Sequence, residues 1–155
     1  MKMMPRRSFL HSLAACLTAP LLLPRRVRAQ ERNLEALVPA AKDVLQGNQA
    51  RAGRVKIDTP LLAENGHSVP VKLTVESPMT AADHVRSIDL ISQKNPRPLI
   101  AHFDLGPRAG RAQIVTRVRL AGTQHLAAVA RMSDGSYWYG TVEVQVTESA
   151  CLDAG

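Results

Sequence analysis

From Asn33 to Gln46 the apolar residues Leu34, Leu37, Val38, Ala41, Val44 and Leu45 recur at spacings of three and four, which puts them on one face of a helix. Pro39 lies inside this run and predicts a kink or a late start, while Gly47 predicts a stop. A polar connector, residues 48–53, follows, and beyond Arg54 the period changes to two. Val69, Val71, Leu73 and Val75 alternate with Pro70, Lys72, Thr74 and Glu76, one buried face against one wet face. Patterns of this kind predict strands over 55–57, 69–76, 85–92, 99–105, 113–120, 125–132 and 137–147. Asn65-Gly66 has the composition of a tight hairpin turn, and Pro70 predicts a position near a sheet edge. The separators, among them Ser77-Pro78, Asn95-Pro96-Arg97-Pro98, Gly106-Pro107 and Asp134-Gly135, are turn formers. Seven short strands so spaced predict a mainly β fold, an immunoglobulin-like antiparallel β-sandwich with an N-terminal helix. Residues 148–155 have neither periodicity nor apolar bulk, and are expected to form a flexible C-terminal arm.

The chain has 155 residues and a formal charge of +7, a balance that would suit a polyanion binder. Its distribution removes that reading. Residues 1–29 hold six basic residues and no acidic one, leaving 14 Lys/Arg against 13 Asp/Glu in the rest, a net charge of one. Nucleic acid is therefore not an expected partner. Met1–Arg7 is a basic leader, Ser8–Leu23 is mostly apolar, and Val27-Arg28-Ala29 offers small residues for cleavage before Gln30. Arg6-Arg7-Ser8-Phe9-Leu10 matches the twin-arginine export pattern, which makes 1–29 a cleaved signal peptide and the periplasm the expected location. Two other readings of this segment are a lipoprotein cleavage box, Leu13-Ala14-Ala15-Cys16, and a cytosolic basic amphipathic helix. Its apolar run is too short and interrupted for a stable span, so no membrane insertion of the mature chain is expected. The expected organisation is thus a signal peptide over 1–29, helix and connector over 30–53, a sandwich over 54–147 and an arm over 148–155.

Chemistry is sparse in the rest of the chain. His67, His84, His102 and His125 are scattered, without the i, i+2 or i, i+4 histidine pairs of a zinc or copper site, so neither a metal nor a cofactor is expected. The Gly106–Gly110 stretch lacks the Lys-Ser/Thr of a phosphate loop and reads as a turn. In Tyr137-Trp138-Tyr139 alternation sets Trp138 towards the core and the two tyrosines on the other face, with core packing and contact with a partner as the two readings of the run. Arg108, Arg111, Arg117 and Arg119 form either a solvated stripe or a docking surface for an acidic partner.

Cys151 stands apart, because it lies four residues from the C-terminus with no second cysteine after residue 29 to pair with. An extended tether from Thr147 would let it swing on the order of 13 Å, enough to enter another protein's cleft. Glu148, Asp153 and the terminal carboxylate disfavour its thiolate, so a partner's positive site is the expected complement. A covalent carrier or redox role, an incidental thiol and an intermolecular disulfide are all open on these grounds.

Glu64-Asn65-Gly66, Val69-Pro70-Val71, Glu76-Ser77-Pro78-Met79-Thr80, Lys94-Asn95-Pro96, Thr116-Arg117-Val118-Arg119-Leu120-Ala121, Thr123-Gln124 and Met132-Ser133-Asp134-Gly135-Ser136 together resemble the SoxY family, the sulfur carriers of thiosulfate oxidation. The resemblance implies twin-arginine export, an immunoglobulin-like sandwich and a heterodimer with a SoxZ-like β-sandwich subunit. It also implies that Cys151 is the covalent attachment residue, acted on by separate periplasmic enzymes, so that the chain is a substrate-bearing subunit and not an enzyme. The family's usual arm is Gly-Gly-Cys-Gly-Gly, whereas Ser149-Ala150-Cys151-Leu152-Asp153-Ala154-Gly155 is similar to the related proteins with an AACIE-type arm. Ala150 and Leu152 give up glycine's conformational freedom. The alternative function is a periplasmic adaptor whose sandwich binds an enzyme, with Cys151 incidental or in an intermolecular disulfide.

Overall fold

The computed structural model describes residues 34–150. Both the signal-peptide assignment for 1–29 and Cys151 lie outside them. The predicted N-terminal helix forms as two short pieces, α1 (Leu34–Leu37) and α2 (Ala41–Leu45). Pro39 has no N–H to continue the helical ladder, so the break falls where the ring forces it. Turn-type bonds bridge the gap, with Ala41 N–H donating to the Val38 carbonyl at 2.9 Å. The α2 cap is Gln46 in the left-handed region (φ 48°), one residue before the expected Gly47.

Nine strands follow, two more than the alternation predicts: β1 (Ala50–Ala52), β2 (Val55–Asp58), β3 (Leu62–Asn65), β4 (Val69–Val75), β5 (Val85–Ser92), β6 (Leu99–Asp104), β7 (Gln113–Val118), β8 (Gln124–Met132) and β9 (Tyr137–Glu148). The larger sheet runs β1-β9-β8-β5-β6, with β3 also on β9, and the smaller runs β2-β4-β7. The two unexpected strands are the parallel ones. β1 takes the stretch read as a connector and pairs it with Tyr137–Tyr139, while β3 pairs with the far end of β9. The sandwich is therefore not purely antiparallel.

Valine and leucine alternation decides which faces meet. Val69, Val71, Leu73 and Val75 of β4 pack with Val85, Ile88 and Leu90 of β5 and with Leu126, Ala128 and Ala130 of β8. The opposite face of the larger sheet buries Ile91, Ala127, Val129 and Tyr139 against Leu34, Val38, Ala41 and Leu45 of the two helices. Gly140 is required by this packing, since a Cβ there would sit 2.2 Å from the Val55 carbonyl oxygen where β2 crosses β9.

Two local expectations hold only in part. Asn65-Gly66 does form a turn, with His67 N–H donating to Asn65 Oδ1 at 2.7 Å, but its flanking strands do not pair with each other. The turn carries the chain from one sheet to the other. Pro70 marks a free edge only at the start of β4, which β2 does not reach, while β4 as a whole is the centre of the smaller sheet. Its missing donor is harmless there: β2 pairs only with Lys72–Val75, and the Pro70 carbonyl accepts from Thr59 Oγ1 at 2.9 Å.

Candidate functional site

The end of β9 determines how the C-terminal segment leaves the domain. Alternation along this strand buries Val144 and Val146 and exposes Glu143, Gln145 and Thr147, so the strand lies across the core with one wet face. Along one edge Thr123 Oγ1 accepts the Val146 N–H at 2.9 Å. Along the other, Thr147 Oγ1 donates to the Glu64 carbonyl at 2.8 Å and the Gly66 N–H donates to the Glu148 carbonyl at 2.8 Å. Ala150 is buried, and its N–H donates to the Leu120 carbonyl at 3.1 Å. Leu120 N–H in turn donates to the Gly66 carbonyl at 2.8 Å, so Gly66 closes a backbone clasp around the root of the segment. No side chain fits at that point. A Cβ on Gly66 would stand 2.4 Å from the Leu120 oxygen and 3.0 Å from the Ala150 nitrogen.

This clasp revises the expected reach of the arm. The strand runs to Glu148 and hydrogen-bonded backbone continues to Ala150, so Thr147 is not the point from which a free tether would be counted.

The other sequence candidates separate. Tyr139 is buried beneath the helices and Tyr137 is half-buried beside it, so of the two readings of this aromatic run, core and partner interface, the tyrosines take the first and serve intramolecular packing. Trp138 packs against the edge of the core, with the guanidinium groups of Arg54 and Arg51 over its ring at 5.1 and 5.8 Å. Arg108, Arg111, Arg117 and Arg119 are exposed, and Arg117 Nε donates to Ser68 Oγ at 2.8 Å. Pro107–Ala109 is a 3-10 turn, as the glycine and proline spacing implies. Among the described residues no group of three or more His, Cys, Asp or Glu side chains is arranged to hold a metal ion. No helix among them is long and apolar enough to cross a membrane.

One constellation escaped the sequence reading. His102 Nδ1 is 2.6 Å from Asp89 Oδ1 and its Nε2 is 3.3 Å from Asp104 Oδ1. The hydrogen bond to Asp89 holds the imidazole pKa above its ordinary 6.5, against the opposing effect of burial, with the Asp89 charge and Asp104 adding to the rise. Asp104 shares the strand face of His102 at i+2, which is visible in the sequence. Asp89 reaches it only through the β5–β6 register, which no local pattern encodes.

Two sheets face to face, helices over one outer face and a clasped C-terminal extension define a small β-sandwich whose exit point is held by backbone. Residues 41–151 match the family described as "Sulfur oxidation protein SoxY", and the chain belongs to that family. The structure is similar to that of the sulfur carrier protein SoxY from Chlorobium limicola f thiosulfatophilum, at 26% identity and a TM-score of 0.59, over 71% of this chain and 90% of that one. It also resembles a superoxide reductase (neelaredoxin) from Ignicoccus hospitalis, at 20% identity and a TM-score of 0.54, over 61% of this chain and 80% of that one. A superoxide reductase from Nanoarchaeum equitans aligns at 13% identity and a TM-score of 0.53, over 62% of this chain and the whole of the other. These reductases share the fold alone. No curated protein matches the sequence.

Proposed function

We propose that this protein is a periplasmic carrier of sulfur intermediates, exported by the twin-arginine route, with Cys151 as the covalent attachment residue. The observation that carries the reading is the family match, which extends through residue 151 and so includes the cysteine. In the carrier step the Cys151 thiol and thiosulfate join through a new S–S bond, releasing one proton and two electrons to a redox cofactor of a separate enzyme. Water then cleaves the terminal S–S bond of the adduct, leaving a persulfide on Cys151 and releasing sulfate with a proton. The chain itself is the substrate-bearing subunit, and a SoxZ-like β-sandwich protein is its proposed partner. Because Ala150 is buried, the enzymes that act on Cys151 must bring their clefts to the Gly66–Leu120 end of the sandwich, or displace Ala150 first.

Intact mass spectrometry of the protein from cells growing on reduced sulfur compounds tests this reading. A reductant-sensitive mass increase that disappears in Cys151→Ser, together with loss of sulfur oxidation in that strain, is expected. No adduct and unimpaired sulfur oxidation in Cys151→Ser would leave the adaptor function as the better account.

A further inference from the structure

The helices cover only part of the outer face of the larger sheet, and two adjoining cavities open on the remainder. One, of about 330 Å³, lies beside α2, with Ala40, Val44, Pro98 and Leu99 as apolar walls and Asp43, Asp89 and His102 among its polar groups. The second, of about 460 Å³, is lined by His84, Arg86, Ser87, His102, Asp104 and Arg131, with Leu105 as its one apolar member. Ser87, His102 and Arg131 belong to both.

A β-bulge assembles the second cavity. The register of β5 against β8 passes from Val85↔Met132 to Ser87↔Arg131, so Arg86 is the extra residue. Ser87 also pairs with Asp104, which sets Arg131, Ser87 and Asp104 in one row across three strands. Arg131 lies over the Tyr137 ring at 5.9 Å, which steadies its guanidinium at the cavity rim. His84 Nδ1, 3.1 Å from the Thr80 carbonyl, can only donate there, which fixes the ring's orientation. His102 lies between two carboxylates, so both of its ring nitrogens are already engaged.

The charges do not balance within this cavity. Two guanidinium groups face Asp104, whose side chain is 87% exposed, while His102 and Asp89 are engaged with each other. Guanidinium forks match oxygens of a tetrahedral anion in pairs, and a hydroxyl adds one more donor. We propose that this cavity is a binding site for a small tetrahedral oxyanion of the sulfate or phosphate class, held by Arg86 and Arg131 with a hydroxyl donor from Ser87. Arg131 lies seven positions along β8 from Gln124, at the opposite end from the clasp, which is about 23 Å of extended strand. The site is therefore separate from the clasp and independent of the carrier reading.

The test titrates the full chain with inorganic sulfate, and separately with inorganic phosphate, at constant ionic strength made up with chloride. Ring NMR signals of His84 and His102 and the heat of binding are the readouts. Saturable shifts of both rings are expected, weakened about tenfold by Arg131→Gln and by Arg86→Gln. Asp104→Asn removes the opposing charge and frees His102 Nε2, so it should tighten binding several-fold, an outcome that damage to the fold cannot produce. Shifts that do not saturate, that chloride alone reproduces, that survive both arginine substitutions or that Asp104→Asn leaves unchanged would overturn the proposal.

Discussion

The two ends of β9 are held in different ways. At its start, Tyr139 is buried under Leu34, Val38 and Ala41, and Trp138 lies beneath Arg54 and Arg51, so side-chain area and ring contacts fix the strand. At its finish, Gly66, Leu120, Glu148 and Ala150 meet through their backbones, with Thr123 and Thr147 adding hydroxyl bonds. Side-chain anchoring accumulates stability over a broad area, whereas backbone clasping sets position with little area. The first end supports the fold, and the second decides where residue 151 emerges.

If that contrast is right, Tyr139→Ala should cost the most, about 3 kcal/mol of unfolding free energy by loss of a buried aromatic, read by denaturant melting, with no specific change in thiol labelling at Cys151. Gly66→Ala forces its neighbours apart and should cost about 1–3 kcal/mol. Its distinguishing effect is faster alkylation of Cys151 under native conditions, followed by mass spectrometry of the Cys151 peptide; an unchanged rate would break the contrast. Thr123→Val leaves the Val146 N–H without its acceptor and should cost about 1 kcal/mol, with faster amide exchange confined to the end of β9.

The smallest expected effect concerns His102. Its folded pKa is raised, so the associated stability is fully present below the ordinary value of 6.5 and is lost as the pH rises through the folded value. With a side chain 48% exposed, solvent screening keeps the contribution small. Asp89→Asn should lower the His102 pKa in an NMR titration and flatten the pH dependence of thermal unfolding above pH 6.5. Neither end of β9 should respond.

The same contrast explains what the sequence revealed. Strands that bury alternating side chains were legible almost to the residue: β5 spans Val85–Ser92 as predicted, and β4 departs from its prediction by one position. β1 and β3 were not. Ala50-Arg51-Ala52 offers only alanine methyls and has no fully buried residue, and β3 buries only Ala63 while Leu62 is exposed, so parallel backbone pairing defines both strands. The Asn65-Gly66 turn was visible, but its partners were not, because composition specifies a bend and not the sheet that receives it. A position beyond the last β pattern, without a second cysteine after residue 29 to pair with, singled out Cys151 and the family resemblance gave it a role, yet nothing local announced that Ala150 would be buried against Leu120 and Gly66. The tyrosine pair stayed open between its two readings because alternation identifies opposite faces without revealing that two short helices cover one of them.

The pairing of β9 also has a mechanical consequence. A partner that withdraws while gripping residues beyond Ala150 pulls the strand along its own axis, and its ladder bonds to β8 and β3 lie across that axis. The ladder is loaded in shear, many bonds at once, instead of being peeled one by one. The single Ala150–Leu120 bond stands outside that ladder and yields first. A pull at the C-terminal side of Ala150 therefore releases Ala150 before it disturbs β9, and the sandwich stays intact.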